Sequence, residues 1–352
     1  MNRPAAPDGR ALPIVLTQGD PAGIGGEVIA KAFADAPKLT AGCFVAGDLA
    51  HLRRAAQAAA DASGRAPLPI ARIEAPGQVW QAPAGSIPLL QVGPQPPLVS
   101  WGRVQAAAGR LAADAVTWAA RAALRGDVAA LVTAPLHKEA LAAAGVPFPG
   151  HTELLQAEAA AHLGLSARQV PVRMMLASRE LRTVLVSIHV SLRQALDAVT
   201  CETVLETLAI THAALSRSLG RAPRIAVAGL NPHAGEGGLF GREEIEQIAP
   251  AVQAARTRGI DASGPHAPDT VFMRARTGEF DAVVAMYHDQ GLIPVKYLGL
   301  EEGVNVTLGL PLVRTSPDHG TAFDIAGTGQ ADPRSFIEAL RAARALVSPE
   351  TA

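Results

Sequence analysis

Short apolar runs that end abruptly in polar residues alternate along the chain with longer stretches whose apolar positions recur at helical spacing. Residues 12–17 read as a first strand, followed by a glycine-rich turn over 18–27 and a helix over 28–36. Residues 43–48 give a second strand, and a third unit closes near Ile73. Residues 82–98 are rich in proline and read as an irregular connection. A long helix over 102–124 follows; its stripe of Val104, Leu111, Ala115, Trp118 and Ala122 reads as core or subunit packing. Residues 128–133 form the next buried strand. Residues 172–177 and 181–189 pattern as a hairpin, 204–215 as a helix, 224–230 as a strand, 242–258 as a helix and 281–286 as a strand. No internal repeat interrupts the alternation, so the class is α/β.

Chemistry gathers where the strands run out, which is where open α/β sheets place their ligands. The strand over 281–286 feeds His288 and Asp289, and that over 224–230 feeds Asn231 and His233. The second hairpin strand ends on His189, and the strand over 128–133 leads to His137 and Lys138. Three strand-end histidines far apart in sequence do not match a compact structural zinc site. They suit a catalytic metal site, for which imidazoles favour Zn, Co or Ni over Mg. Lys296, Asn305 and Arg314 come next, then the segment 319–327. The turn over 18–27 is placed to bind an anion or nucleotide at a helix N-terminus, but its spacing is neither G-x-G-x-x-G nor a P-loop, and a tight turn explains it equally. Thr152 reads as the cap of a helix, with His151 beside it.

Composition narrows the function classes. The 352 residues allow two domains, or one with a discontinuous partner. Lys+Arg 31 against Asp+Glu 32, with no basic run, argues against nucleic acid. Cys43 and Cys201 lie far apart and read as small buried hydrophobes in a reducing compartment. The N-terminal residues 1–10 hold no apolar signal, and no run approaches membrane-spanning length, so a cytoplasmic protein with no membrane partner is expected.

The segments 19–25 (GDPAGIG), 133–138 (TAPLHK), 150–153 (GHTE), 229–238 (GLNPHAGEGG), 286–291 (MYHDQG) and 305–316 (NVTLGLPLVRTS) together resemble the 4-hydroxythreonine-4-phosphate dehydrogenase family, in that family's order and over nearly the whole chain. The resemblance implies a homodimer of two α/β/α domains per subunit, similar to isocitrate and isopropylmalate dehydrogenases, with the active site in the cleft between domains and completed across the dimer. The expected division is 1–130 plus 300–352, carrying the cofactor loops, against 131–299. The resemblance assigns His189, His233 and His288 to a divalent metal (Zn, Co or Mg). It assigns His151, Thr152, Lys296, Asn305 and Arg314 to a phosphorylated substrate, and Asp269 and Asp289 to catalytic or proton-relay roles near the metal. His319, Gly320, Asp324 and Ile325 fall to the adenosine half of NAD, Asp324 beside the ribose.

The reaction so implied is oxidation of 4-(phosphooxy)-L-threonine to 2-amino-3-oxo-4-(phosphooxy)butanoate, which loses carbon dioxide to give 3-amino-2-oxopropyl phosphate on the way to pyridoxine 5'-phosphate. The metal acts as a Lewis acid and NAD takes the hydride. Sister dehydrogenases acting on 4-phospho-threonate, 4-phospho-erythronate or dihydrodiol dicarboxylates share the motifs. A metal-dependent lyase would have no use for an adenosine loop.

Overall fold

The structure is a computed structural model and describes residues 11–299 and 303–347. The reading of residues 1–10 as free of an apolar signal, and the expected domain boundary at 300, lie outside the described residues. In chain order the elements are β1 (Ile14–Thr17), α1 (Gly25–Asp35), α2 (Pro37–Thr40), β2 (Cys43–Gly47), α3 (Leu49–Ser63), β3 (Ile70–Ile73), β4 (Ile87–Gln91), α4 (Ala106–Leu124), β5 (Ala130–Thr133), α5 (Lys138–Ala143) and α6 (His151–Leu163). Then come β6 (Arg173–Ala177), β7 (Arg182–Leu185), α7 (Leu192–Ala198), α8 (Cys201–Leu219), β8 (Ile225–Ala228), α9 (Ala249–Thr257), β9 (Ala262–His266), α10 (Pro268–Arg276), β10 (Ala282–Ala285), α11 (His288–Leu298) and β11 (Val304–Leu308). β12 (Arg314–Pro317) and α12 (Arg334–Val347) complete the series.

These elements divide into two compact units. Unit 1 takes the described residues to Pro171 together with Leu310–Val347; unit 2 takes Val172–Gly309. The expected division ran 1–130 plus 300–352 against 131–299, so β5, α5 and α6 group here with unit 1. β5 pairs with β1, and α4 packs on both α5 and α6, which accounts for that grouping.

Unit 1 is a parallel sheet in the order β3-β4-β2-β1-β5-β12. β1 and β5 are buried along their whole length, as uniformly apolar strands flanked on both sides should be. Leu16, Ile29, Phe44, Leu52, Leu131 and Phe336 are among the largest fully buried side chains, each worth about 1.5–3 kcal/mol of apolar burial. α4 buries a stripe of small residues, Ala108, Gly109, Ala112, Ala115, Val116, Ala119 and Ala122; of the expected stripe, Ala115 and Ala122 are buried and the rest is corrected. Val104 lies before the helix and is exposed, while Leu111 and Trp118 are half-buried. Small residues let α5 approach closely: a Cβ on Gly109 would stand 1.9 Å from the Ala140 carbonyl oxygen.

β4 corrects the reading of 82–98 as irregular. Its Pro88 opposes Ala71 of β3, and the register with β2 begins only at Leu89, so a proline inside the strand leaves the β2 ladder whole. Cys43 is buried as expected, whereas Cys201 is only half-buried at the start of α8.

Unit 2 orders its strands β11-β6-β7-β10-β8-β9. β6 is antiparallel to β7, the expected hairpin, and to β11; β7, β10, β8 and β9 are parallel. β9 was not anticipated, because Gly264-Pro265 reads as a turn; it pairs with β8 alone. The expected helix over 242–258 opens with a wide π-helical turn, Glu244–Ile248, before α9.

Candidate active site

In unit 2, β7, β10 and β8 lie side by side and parallel, so their C-terminal ends share one edge. His189, His288 and His233 leave those three ends. β7 stops at Leu185, which corrects the expectation that the strand ends on His189 itself; His189 sits in the loop beyond. Side chains lace the three ends together. Ser187 Oγ donates to the Met286 carbonyl (2.9 Å), and Gln290 Nε2 donates to the Gly229 carbonyl (2.7 Å). Buried Glu244, presented by the π-turn, accepts from the Leu230 and Asn231 N–H groups at 2.7 Å each.

The backbone here is strained. His189 has φ 33° and His233 φ 53°, with Ala234 and Glu236 also left-handed. A non-glycine residue in that region costs on the order of 1–3 kcal/mol and persists only where the surroundings impose it. The His189 and His288 rings lie 5.7 Å apart between centroids. Both line a cavity of about 280 Å³ with Ser187, Leu192, Tyr287 and Asp289. Asp289 Oδ1 is 2.7 Å from His288 Nδ1, which leaves Nε2 to face a ligand. The His233 ring instead neighbours Phe240, 6.4 Å between centroids. Among the described residues no three His, Cys, Asp or Glu side chains come together closely enough to hold a metal ion. The donor chemistry fits a borderline divalent metal, and the structure brings two of the three expected ligands together. Asp269 is exposed in the first turn of α10, which packs on the His233 segment. Lys296 is half-buried in the last turn of α11, and Asn305 is half-buried on β11 opposite Leu176.

In unit 1 the expected anion-binding residues stand on unstrained backbone, Arg314 buried and His151 and Thr152 half-buried. Arg314, 4% exposed at the head of β12, donates to Thr133 Oγ1 of β5 through Nε (3.1 Å) and Nη2 (2.8 Å). Burial pulls its guanidinium down to about 10, against the opposing field of Glu153, so it stays charged at neutral pH. His151 opens α6. Burial drives its imidazole well below the usual value, the Arg314 charge adding to this and a backbone bond with Ala134 opposing it. Its Nε2 is buried without a hydrogen-bond partner. Thr152 is not the cap: α6 begins at His151 after Gly150, with no side-chain cap, and Thr152 is its second residue.

The segment 319–327 is a loop after β12, gripped by α1 and the turn before it. Ile24 N–H donates to the Thr321 carbonyl (3.0 Å), and Gly327 N–H to Glu27 Oε1 (2.5 Å). Lys31 Nζ reaches the carbonyls of Gly329 (2.7 Å) and Ala331 (2.6 Å). Within the loop His319 Nδ1 lies 3.0 Å from its neighbour's carbonyl, Gly320 and Asp324 are exposed, and Ile325 is half-buried. Sequence reasoning assigned no role to Glu27, Thr133 or Glu244, which hold these groups in place. Glu27 and Thr133 stand inside or beside quoted motifs, but a motif does not say which member is buried.

The chain thus has strand-end histidines in one unit and a buried guanidinium in the other. The family described as pyridoxal phosphate biosynthetic protein PdxA matches residues 40–343, and the chain belongs to it. The 4-hydroxythreonine-4-phosphate dehydrogenase of Beijerinckia indica is 49% identical over 338 residues, 96% of each chain. The D-threonate 4-phosphate dehydrogenase of Salmonella typhimurium is 45% identical over 95% of this chain and 98% of its own. The crystal structure of 4-hydroxythreonine-4-phosphate dehydrogenase from Klebsiella pneumoniae superposes with a TM-score of 0.83 at 41% identity, covering 96% of this chain and all of that one. Oxidoreductase chemistry is the class these relatives share, and this chain falls within it. Among the described residues no helix is long and apolar enough to cross a membrane.

Proposed function

We propose that the chain is an NAD-dependent, divalent-metal-dependent dehydrogenase that oxidises 4-(phosphooxy)-L-threonine to 2-amino-3-oxo-4-(phosphooxy)butanoate, which decarboxylates to 3-amino-2-oxopropyl phosphate. The observation that carries the substrate class is Arg314: a buried, charged guanidinium beside His151 suits an anionic ligand such as phosphate or carboxylate. His189, His233 and His288 would hold the metal, which supplies Lewis-acid stabilisation of charge on oxygen. Asp289 orients His288, and Asp269 is the carboxylate assigned to the hydroxyl proton. Lys296 and Asn305 are assigned further polar contacts with the substrate. His319, Gly320, Asp324 and Ile325 take the adenosine half of NAD, and the Asp324 carboxylate disfavours the extra phosphate of NADP. Alcohol oxidation then needs only that these groups hold donor and acceptor carbons at reacting distance.

A homodimer is part of the proposal. Leu192 and Leu196 of α7, and Ile293 and Tyr297 of α11, are exposed apolar or aromatic pairs at helical spacing in unit 2. Oxidation of D-threonate 4-phosphate is the second reading, favoured by the relative of that name. Purified protein with NAD and divalent metal is offered each phosphorylated acid, with NADH and carbon dioxide both measured. Turnover of phosphooxythreonine with both products is expected. Higher kcat/KM on D-threonate 4-phosphate would replace the first substrate with the second, and NADH formation from neither would overturn both.

A further inference from the structure

A group of titratable side chains in unit 1 has no part in the reading above. Asp20, in the turn after β1, is fully buried. Its Oδ1 accepts from the Ala22 N–H at 2.8 Å, while Oδ2 is buried with no hydrogen-bond partner. The backbone fixes where this carboxylate lies. Asp20 N–H donates to the Pro135 carbonyl (2.9 Å), tying the turn after β1 to the segment after β5. That approach needs glycine: Gly19 has φ +71°, and a Cβ there would stand 2.3 Å from the Pro135 oxygen. Two residues past Pro135 is His137. Its half-buried ring stacks on Phe323 at 4.7 Å between centroids and 13° between planes. Phe323 packs in turn on the cluster of Ala22, Val99 and Ala108, so the chain of contacts runs from Asp20 through Ala22 and Phe323 to His137.

The His137 imidazole has an inside and an outside. Nδ1 is buried without a hydrogen-bond partner and Nε2 is not, and the Asp20 carboxylate, whose Oδ2 is likewise buried and unpartnered, lies close enough for the two groups to feel each other's charge. A buried carboxylate within electrostatic reach of an imidazole that has one nitrogen inside and one outward favours the tautomer with its proton on the inner nitrogen. The two groups are not hydrogen-bonded here, and such contacts commonly tighten only when ligand binds. We propose that His137 is a further nucleotide-contacting residue, with Asp20 behind it as the positioning carboxylate that holds the proton on Nδ1. The inference rests on the reading of 319–327 as the cofactor loop, because Phe323 of that loop carries the His137 ring.

The ligand chemistry follows from the charge state. Burial raises the Asp20 carboxyl to about 6, with the Ala22 N–H and the His137 field opposing, so above that pH it is predominantly ionised. In the neutral imidazole, an ionised Asp20 favours the proton on Nδ1 and turns the Nε2 lone pair outward. In that tautomer the group it takes is a neutral donor, a ribose hydroxyl or the nicotinamide carboxamide.

Binding of NADH, ADP-ribose and the 3-acetylpyridine analogue of NAD to the full chain tests this at pH 7.5. His137→Phe keeps the stack on Phe323 and removes the lone pair. Asp20→Asn keeps an acceptor for Ala22 but presents N–H to Nδ1, which should move the proton to Nε2, visible in imidazole 15N shifts. His137→Phe should weaken NADH about tenfold, and Asp20→Asn about three- to tenfold, with KM for the phosphorylated acid within about twofold of wild type. A matching loss for ADP-ribose assigns the ribose hydroxyl. A loss for NADH without one for ADP-ribose or the acetylpyridine analogue assigns the carboxamide. Unchanged NADH affinity in His137→Phe overturns the contact, and an unchanged tautomer in Asp20→Asn overturns the role of Asp20. Wild-type protein that binds no nicotinamide nucleotide would overturn the cofactor reading itself, a result distinct from either.

Discussion

The two units hold their candidate functional groups by different physical means. In unit 2 the histidines His189 and His233 are exposed, and the backbone beneath them is forced into left-handed conformations. In unit 1 the only left-handed non-glycine among the described residues is Ala322 of the 319–327 loop; Arg314, His151 and Asp20 themselves stand on unstrained backbone, and their side chains are instead desolvated: Arg314 drawn down to about 10, Asp20 raised to about 6. Strain fixes the direction of a group open to solvent; burial fixes the strength of a group's electric field. A strained exposed loop suits donors that close on a ligand. A buried guanidinium suits a ligand that must shed its water.

The largest expected effect falls on the strained side. His233→Ala should abolish metal binding in elemental analysis and lower turnover on the order of a thousandfold or more. Full metal occupancy in that variant would remove His233 from the site. The same position tests the strain directly: His233→Gly should be about 1 kcal/mol more stable than His233→Ala, because glycine adopts φ 53° without penalty. Equal melting temperatures for the two would mean that the strain is not stored in the folded state.

A smaller effect belongs to the buried side. Arg314→Lys keeps the charge but loses the two-pronged grip on Thr133 and on any planar anion. The loss in kcat/KM should be about 1.5–3 kcal/mol, roughly ten- to a hundredfold. Unchanged kinetics would place Arg314 outside the ligand's reach and weaken the contrast between the units.

What could be read from the chain before folding follows the same contrast. β1, β2, β5, β8 and β10 were legible because buried parallel strands are continuous apolar runs, and their ends pointed to His233, His288 and His137. β4 and β9 were hidden by Pro88 and by Gly264-Pro265, residues that signal turns locally but fall where the ladder does not need their N–H or has only one neighbour. Positive φ at His189 leaves no mark in sequence, since the usual marker is glycine. Neither does the burial of Asp20 or Glu27, which depends on segments distant in sequence: Asp20 N–H reaches the Pro135 carbonyl, Glu27 holds Gly327, and Lys31 holds Gly329. Motifs recorded that these residues matter together without saying which one is buried.

The smallest expected effect is one of stability, and it has a sign that only a desolvated acid produces. Asp20 is protonated with a pKa of about 6 in the folded chain against 3.8 for the free group, so between those values the folded state binds the proton more tightly than the unfolded state. Its contribution to stability is therefore best below pH 4, falls as pH rises from about 4 to about 6, and is flat above. A shift of that size sets a ceiling of about 3 kcal/mol, and local relaxation should reduce it to about 1–2 kcal/mol. Asp20→Asn carries no charge and keeps an acceptor for Ala22, so it should be more stable than wild type by about 1–2 kcal/mol at pH 7.5 and equal to it near pH 4. Denaturant melts of both proteins at the two pH values cancel every other titrating group. Reduced stability of the variant at both pH values would mean that the carboxylate serves the turn and not a ligand. A gain at pH 7.5 joined to weaker nucleotide binding would show the chain keeping a costly buried charge for what it binds, as sites that trade stability for function do.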